Sequence, residues 1–244
     1  MAESPTVVLV HGAFADAGSW AGVTAILQAA GVTVLAPANP LRGVTSDSAY
    51  IASVISQIDG PVLAVGHSYG GAVITNAGTA ATNVVGLVYI SAFAPDEGEK
   101  LSDVTATSAD SILGAALQPR QFPTGSGGPS SGDSAVELYV DPAKFHEVFA
   151  ADLPVAQSAV FAASQRPVAA SAFDEVNGVP AWKTLPSWAV VGTGDKAAGA
   201  DVTREHAQRA GSQLTELDGS HLAFVAQPQA VADVILTAWK AVTK

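Results

Sequence analysis

The sequence predicts an α/β protein built on a doubly wound parallel sheet. Short β-rich runs alternate with helix-length segments along most of the chain, an alternation typical of parallel sheets covered by helices. Most of these runs are continuously apolar, as strands buried on both faces require. The chain has 244 residues, 48% of them apolar and 14% charged, which favours a packed domain over a disordered chain.

Six segments are predicted to form the strands, and all but the last are continuously apolar. They are residues 6–12, 32–37, 61–67, 84–92, 187–195 and 212–219. Helix-length segments follow the strands, and a final helix starts near Pro228, since a proline is tolerated in the first turn of a helix. These elements predict a core formed by residues 1–93 and 186–244.

The alternation stops between residues 94 and 185. This stretch predicts helices near residues 100–117, 141–151 and 154–164, around the glycine- and serine-rich segment 123–133. We identify no strand-like run within it. Residues 94–185 are therefore predicted to form a helical cap, inserted after the fourth strand.

Charge and cysteine content exclude several classes of function. Eleven basic and 22 acidic residues give a net charge of −11, which argues against nucleic-acid or membrane partners. The chain has no cysteine, so disulfides, thiolate catalysis and cysteine-ligated metals are excluded. Neither a signal peptide nor an apolar run of the roughly 20 residues that span a membrane is visible. We predict a cytoplasmic protein, although a secreted mature form would show the same features. The sequence does not determine the oligomeric state.

The segment GHSYG, residues 66–70, matches the G-x-S-x-G pattern of a nucleophile elbow. The pattern alone is weak, because residues 128–132 (GPSSG) also match it, with no strand before them and no helix after them. Ser68 instead lies between a predicted strand and an apolar helix. A serine at that junction takes a strained conformation that exposes its hydroxyl, and Gly66 and Gly70 avoid collisions in the sharp turn.

A serine nucleophile needs a general base, and the base needs an acid that orients it. His221 follows the last predicted strand, at the edge of the sheet where open α/β folds bind ligands. Asp195 follows the penultimate strand and is the candidate acid, with Asp96 as the alternative. The remaining histidines suit the role less, because two lie in predicted helices, where we expect them to be solvated, and two adjoin the first strand or the nucleophile. These four are His146, His206, His11 and His67.

The tetrahedral intermediate of acyl transfer needs two backbone N–H donors. One is expected from Tyr69, the residue after the nucleophile, because it opens a helix whose dipole favours negative charge. The other is expected from the loop after the first strand, where Ala13 is the candidate and Phe14 the alternative.

Several segments of the chain resemble the α/β-hydrolase superfamily. They are VVLVHGAFADAGSW, APANPLRG, VGHSYGGAVITNA, GTGD and DGSHLAFVAQP. More narrowly, they resemble its small cofactor-free branch of plant methylesterases, hydroxynitrile lyases and bacterial esterases, including pyrethroid-hydrolysing ones. The resemblance implies a three-layer α/β-hydrolase fold, with a six-stranded parallel sheet under a helical cap, and no metal or cofactor. It also supports a Ser68, Asp195 and His221 triad, whose chain order is the one used by that superfamily.

The resemblance favours hydrolysis of an ester over lyase chemistry. Plant hydroxynitrile lyases of this fold carry a threonine and a lysine at the positions that Gly12 and Leu222 occupy here. We therefore expect a serine hydrolase that cleaves a small or medium hydrophobic carboxylic ester with water, through an acyl-enzyme. The same triad leaves open a cofactor-free perhydrolase of the haloperoxidase type, a lactonase and a receptor for a small ligand.

The substrate pocket is expected to be apolar, because the predicted cap is rich in aromatic residues and poor in basic ones. The candidate lining side chains come from the loop after the first strand, from the cap and from the residue after His221. They are Phe14, Phe145, Phe149, Phe161, Trp182 and Leu222. The sequence does not show whether two further cap aromatics, Phe122 and Phe173, face the pocket.

Overall fold

The structure is a computed structural model that describes residues 4–124 and 133–243, so the second G-x-S-x-G segment at 128–132 lies outside the described residues. The strands of the described part are β1 (Thr6–Val10), β2 (Val34–Leu35), β3 (Val62–His67), β4 (Val84–Ile90), β5 (Leu117–Pro123), β6 (Ser134–Val140), β7 (Val168–Ala169), β8 (Ser187–Gly192) and β9 (Gln213–Leu217). Six of them form one sheet in the order β2-β1-β3-β4-β8-β9, with every neighbouring pair parallel. The predicted six-stranded parallel sheet is confirmed.

Helices cover this sheet. The α-helices of the described residues are α1 (Ala21–Ala29), α2 (Val44–Ser56), α3 (Tyr69–Ala80), α4 (Leu101–Ala106), α5 (Pro142–Phe149), α6 (Val155–Ser164), α7 (Ala200–Arg209), α8 (Ala223–Ala226) and α9 (Pro228–Val242). Helix α1 packs against α9, and α2 packs against α3. Both α3 and α9 also contact the central strands β3 and β4. Within the described ranges, no helix combines the length and the apolar character needed to cross a membrane.

The central strands are buried on both faces, which explains their continuously apolar sequences. All six residues of β3 and all six of β8 are buried, as are four of the five in β1. Strand β9 lies at the edge of the sheet and has no fully buried residue. It corresponds to the one predicted strand that lacks a continuous apolar run.

Parallel pairing brings the candidate residues to one edge of the sheet. Ser68 directly follows β3, Asp195 follows β8 by three residues, and His221 follows β9 by four. Because these strands run in the same direction, their carboxyl ends meet at the same edge. The topology therefore collects three residues that are up to 153 positions apart in the sequence.

The insertion between β4 and β8 is not purely helical, so that part of the prediction was wrong. Strands β5, β6 and β7 form a second, antiparallel sheet. Helix α4 and a 3₁₀ turn at Leu113–Ala116 replace the long helix predicted near 100–117. Strand β5 is an edge strand, where Pro119 is tolerated because its missing N–H needs no partner. Strand β6 (SAVELYV) contains valine and tyrosine, which are favoured in strands, but its burial does not alternate, since Val136 is 40% exposed and Glu137 is buried.

Hydrogen bonds tie the insertion to the core loops near the sheet edge. The N–H of Phe14, in the loop after β1, donates to the carbonyl oxygen of Arg166 over 3.0 Å. The N–H of Leu222, next to His221, donates to the carbonyl oxygen of Phe149 over 3.2 Å. The insertion is thereby held over the carboxyl ends of the central strands.

Candidate active site

Ser68 occupies a strained turn between β3 and α3. Its backbone has φ 53° and ψ −125°, a left-handed conformation that a serine adopts only at a cost of about 1–3 kcal/mol. A β-carbon on Gly66 would come within 2.5 Å of the carbonyl oxygen of Gly70, and one on Gly70 would collide with the carbonyl oxygen of Val10. Glycine is therefore required at both positions by the closeness of the backbone, as the sequence predicts. Ser68 as a whole residue is 7% exposed.

Asp195 and His221 form a buried hydrogen-bonded pair. The Nδ1 of His221 lies 2.8 Å from an oxygen of the Asp195 carboxylate, and both residues are 1% exposed. The other carboxylate oxygen accepts the N–H groups of Ala197 at 2.9 Å and Ala198 at 3.0 Å, which fixes its orientation. Since a carboxylate accepts, Nδ1 carries the proton and Nε2 of His221 is left as an acceptor. No described residue gives this buried Nε2 a hydrogen bond.

Asp96, the alternative acid, lies elsewhere. It is partly exposed and forms an ion pair with Lys183, whose Nζ is 2.5 Å from a carboxylate oxygen of Asp96. The hydrogen bond from Lys183 lowers the pKa of Asp96 below its ordinary value. The structure therefore brings Asp195 to His221 and leaves Asp96 on the surface.

Two other histidines support the turn and the loop around the site. His67 is fully buried, and its Nε2 donates to the carbonyl oxygen of His221 over 3.1 Å, with the two rings 4.6 Å apart. Burial lowers the pKa of His67 well below its ordinary value, so this ring is neutral. His11 accepts the N–H of Asn39 and donates to the carbonyl oxygen of Gly12, which shapes the loop after β1.

The prediction that His206 is solvated was wrong. This histidine lies in α7 but is only 3% exposed, and its Nδ1 accepts the N–H of Ala94 over 3.0 Å. Burial lowers the pKa of His206 to about 4. Helical periodicity alone does not show which face of α7 is covered by the loop after β4.

The residues that carry the candidate oxyanion N–H groups, Ala13, Phe14 and Tyr69, line the same cavity as Ser68. Tyr69 is the first residue of α3, so its N–H has no intrahelical acceptor. The N–H of Phe14, the alternative candidate, donates to the carbonyl oxygen of Arg166. No described residue accepts the N–H of Ala13. Of the three candidate oxyanion donors, the N–H groups of Tyr69 and Ala13 are therefore the two without an acceptor among the described residues.

Ser68 and His221 line the same small cavity, which we call the inner cavity. Its volume is about 20 Å³, room for about one water molecule. Most of its wall is apolar, and four of its described lining residues are phenylalanines: Phe14, Phe93, Phe149 and Phe173. The ring of Phe149 meets that of His221 at 4.6 Å, edge to face.

Four predicted pocket residues do not line this cavity. Phe145 packs behind Phe149, with ring centroids 5.0 Å apart. Trp182 donates its indole N–H to the carbonyl oxygen of Pro95, while Phe161 packs at the edge of the core and Leu222 is buried below the loop. The aromatic count of the insertion did not distinguish these packing residues from Phe173, which does line the cavity.

A larger cavity, which we call the outer cavity, lies beside the inner one. Its volume is about 620 Å³, within the range of small-molecule sites. Both cavities share four described lining residues: Thr105, Leu113, Phe173 and Ala197. The sequence did not indicate Leu113 or Thr105, because neither belongs to a motif.

A buried carboxylate anchors the turn from behind. Asp47, in the first turn of α2, is 0% exposed and accepts the hydroxyl of Tyr69 over 2.8 Å. It also accepts the N–H groups of Arg42 at 3.1 Å and Gly43 at 3.5 Å. Burial raises the pKa of Asp47, and these hydrogen bonds oppose that rise. The sequence indicates an acidic residue in the first turn of a helix, but it does not indicate that Asp47 accepts a hydrogen bond from Tyr69.

Asp152, in the insertion, holds the loop that carries His221. One of its carboxylate oxygens accepts the N–H of Ser220 over 2.8 Å, and the other accepts the hydroxyl of Ser220. Across residues 4–124 and 133–243, no three histidine, aspartate or glutamate side chains converge on a point where a metal ion could bind.

Comparison with known proteins gives the same fold. The chain is similar over 97% of its length to polyneuridine aldehyde esterase (20% identity, TM-score 0.79, 99% of that chain). It is similar over 97% of its length to a methylesterase from Arabidopsis (20% identity, TM-score 0.75, 99% of that chain). It is also similar over 97% of its length to a pyrethroid hydrolase from Sphingobium faniae (19% identity, TM-score 0.75, 98% of that chain). At these identities the likeness shows the fold.

Sequence comparison identifies one shorter match and a family. A carbendazim hydrolyzing esterase from Nocardioides sp. is 37% identical over an alignment of 108 residues, and the match covers 38% of this chain. The match spans 44% of that relative's length. The model of the alpha/beta hydrolase family matches residues 7–234, which is nearly the whole chain. The protein therefore belongs to the alpha/beta hydrolase family.

Proposed function

We propose that the protein is a carboxylic ester hydrolase that uses Ser68 as nucleophile, His221 as general base and Asp195 as the residue that orients the base. One observation carries this proposal. The Nδ1 of His221 is bound by Asp195, while its buried Nε2 has no partner among the described residues and belongs to the wall of the same small cavity as Ser68. A buried acceptor left without a donor is costly in a folded protein, which supports a catalytic use.

The proposed reaction has two acyl-transfer steps. In the first, Nε2 of His221 takes the proton of the Ser68 hydroxyl as its oxygen attacks the ester carbonyl carbon. The N–H groups of Tyr69 and Ala13 bind the oxyanion that forms, and His221 returns the proton to the leaving alcohol. In the second step a water molecule attacks the acyl-enzyme, with His221 as its base, and the carboxylic acid is released.

Asp195 and the strained turn prepare this chemistry in advance. The carboxylate is held by two backbone N–H groups, so it keeps the imidazole in the tautomer that accepts at Nε2 and stabilises the imidazolium. The turn holds the serine hydroxyl above the start of α3, whose dipole favours negative charge. Little reorganisation is then needed at the moment of reaction.

The composition of the wall supports an apolar ester of small or medium size. The lining residues described for the inner cavity carry no lysine or arginine. Such a wall gives a phosphate or a second carboxylate no charged partner. The esterase activity of the carbendazim hydrolyzing relative is consistent with this substrate class.

The test is hydrolysis of p-nitrophenyl esters, from acetate to octanoate, by the wild type, by Ser68→Ala and by Ser164→Ala. Ser164 is exposed on α6 and serves as the matched control. We expect kcat to fall about 10⁴–10⁶-fold in Ser68→Ala and to stay unchanged in Ser164→Ala. Equal activity of wild type and Ser68→Ala would refute the proposal.

A second measurement does not depend on the choice of ester. Diisopropyl fluorophosphate should label the wild type once, and peptide mapping should place the label on Ser68, since the phosphorylated serine mimics the tetrahedral intermediate. His221→Ala should slow this labelling. Peroxide-dependent bromination and lactone hydrolysis, assayed in parallel, measure the two alternative activities of the same triad.

A further inference from the structure

The inner cavity is too small for any ester. Its 20 Å³ hold about one water, whereas even methyl formate, the smallest ester, has four heavy atoms. The 620 Å³ outer cavity is large enough, and four residues that we call the wall line both cavities: Thr105, Leu113, Phe173 and Ala197. A substrate that reaches Ser68 must therefore pass or displace part of that wall.

Leu113 and Phe173 are the large side chains of the wall, and they are held differently. Phe173 ends a 3₁₀ turn at Ala170–Phe173, and its ring lies 6.2 Å from that of Tyr69, which Asp47 holds in turn. Leu113 is half-buried and begins the 3₁₀ turn at Leu113–Ala116. Displacing Phe173 would disturb the oxyanion residue, whereas Leu113 can change rotamer without doing so.

The chain is fixed just before Leu113. The hydroxyl of Ser111 donates to the carbonyl oxygen of Ala197 over 2.6 Å, and the N–H of Ile112 donates to that of Lys196 over 2.9 Å. These bonds attach the backbone to the loop that carries Asp195. The side chain of Leu113 can therefore move while its backbone, and the loop behind it, stay in place.

The outer cavity favours an uncharged apolar group. Several of its hydroxyl groups already donate within the protein, that of Thr105 to the carbonyl oxygen of Leu101 and that of Ser108 to the carboxylate of Asp201. The residues described in its lining include no lysine, arginine or histidine, and its one ionisable side chain is Asp174. An anionic group would find no cationic partner there and would be repelled by Asp174.

We infer that the outer cavity binds the larger, uncharged apolar group of the ester, and that Leu113 is the movable side chain that determines which esters pass from there to Ser68. The ester then spans the wall, with its carbonyl carbon at Ser68 and its larger group in the outer cavity. The assignment of an ester rests on the proposed function, whereas the ligand class of the outer cavity does not.

The first experiment measures binding without catalysis. N-phenyl-1-naphthylamine and 1-anilinonaphthalene-8-sulfonate share one skeleton and differ by a sulfonate, and both report binding by fluorescence. On the Ser68→Ala protein we expect the neutral probe to bind at least about tenfold more tightly than the sulfonate. Ala115→Trp places a large side chain at a residue that lines the outer cavity and not the inner one, and it should weaken binding of the neutral probe by about tenfold or more. Val160→Trp, on the exposed face of α6, should not weaken it.

The second experiment measures which esters pass the wall. Hydrolysis of methyl alkanoates and of alkyl acetates is followed by titration of the acid released. In one of the two series kcat/KM should rise by up to about fourfold per added methylene until the outer cavity is filled. Ala115→Trp should flatten that rise, because it should lower kcat/KM most for the longest esters and least for methyl acetate. Leu113→Ala should favour cyclohexyl over linear hexyl groups by about tenfold relative to the wild type.

The outcomes separate this inference from the proposed function. Equal binding of both probes, or an unchanged chain-length profile in Ala115→Trp and Leu113→Ala, overturns the inference even where hydrolysis depends on Ser68. Probe binding as expected, without hydrolysis of any ester, overturns the proposed function and supports the ligand class of the outer cavity. Hydrolysis by Leu113→Ala with wild-type preference between cyclohexyl and hexyl esters overturns the role of Leu113 alone.

Discussion

The hydrogen bond between Tyr69 and Asp47 should couple the stability of the fold to the catalytic turn. Tyr69→Phe removes the donor and leaves a fully buried carboxylate with only two backbone donors, one of them at 3.5 Å. Asp47→Asn removes the charge that the hydroxyl binds. A hydrogen bond to a charged group contributes about 1.5–3 kcal/mol to stability, so each single variant should lose about 2 kcal/mol.

The double variant measures the free energy of the interaction between Tyr69 and Asp47. If the contact acts as the structure indicates, Tyr69→Phe combined with Asp47→Asn should lose about 2 kcal/mol less than the sum of the single losses. For a chain of this size each single loss lowers Tm by about 4–8 °C. Urea unfolding measures the free energies, and Tyr50→Phe is the control, because Tyr50 lies on the same helix but is 45% exposed.

Activity decides whether Asp47 positions the turn or only stabilises the protein. The N–H of Tyr69 is a proposed oxyanion donor, so a shifted turn should lower kcat about tenfold with little change in KM. A purely structural role would lower Tm and leave kcat unchanged. Single-variant losses that add to within about 0.5 kcal/mol in the double variant would refute the coupling.

Two further predictions concern groups around the site. Burial lowers the pKa values of His11 and His206 in the folded protein from the ordinary 6.5 to about 4. Between pH 6.5 and 4, these two histidines are therefore protonated in the unfolded chain but not in the folded one. Stability should therefore fall as the pH drops from 6.5 towards 4, by up to about 1.4 kcal/mol per pH unit for each histidine, and His206→Gln should lessen that slope in urea unfolding at a series of pH values. Asp152→Ala removes the acceptor of Ser220 and should lower kcat about tenfold with little change in KM, whereas Asp218→Ala in the same loop should not; equal effects of both would contradict a positioning role for Asp152.

Local sequence patterns were enough to predict the sheet and the position of the serine. The continuous apolar runs reflect burial of β1, β3 and β8 on both faces, a property that each strand shows by itself. The glycines around Ser68 are likewise required by contacts within a few residues, apart from that with the backbone of β1. Such short-range constraints leave a readable pattern because few residue types satisfy them.

The insertion was predicted less well, because its pattern is ambiguous. Strand β5 contains two prolines and is mostly exposed, so neither its composition nor its periodicity indicates a strand. Its pairing with β6 stabilises it from outside the segment. For edge strands of this kind, tertiary pairing overrides local propensity.

By itself, the sequence determined the α/β fold, the turn that carries Ser68, and the order of strands and loops that leads to Asp195 and His221. Only the tertiary structure decided that Asp195 rather than Asp96 meets His221, that Phe14 rather than Ala13 donates its N–H to another described residue, and which aromatic residues reach the cavity. The physical reason is how far apart in the sequence the interacting groups lie. A turn is fixed by neighbours in the chain, whereas a hydrogen-bond partner or a cavity wall is fixed by side chains that only folding brings together.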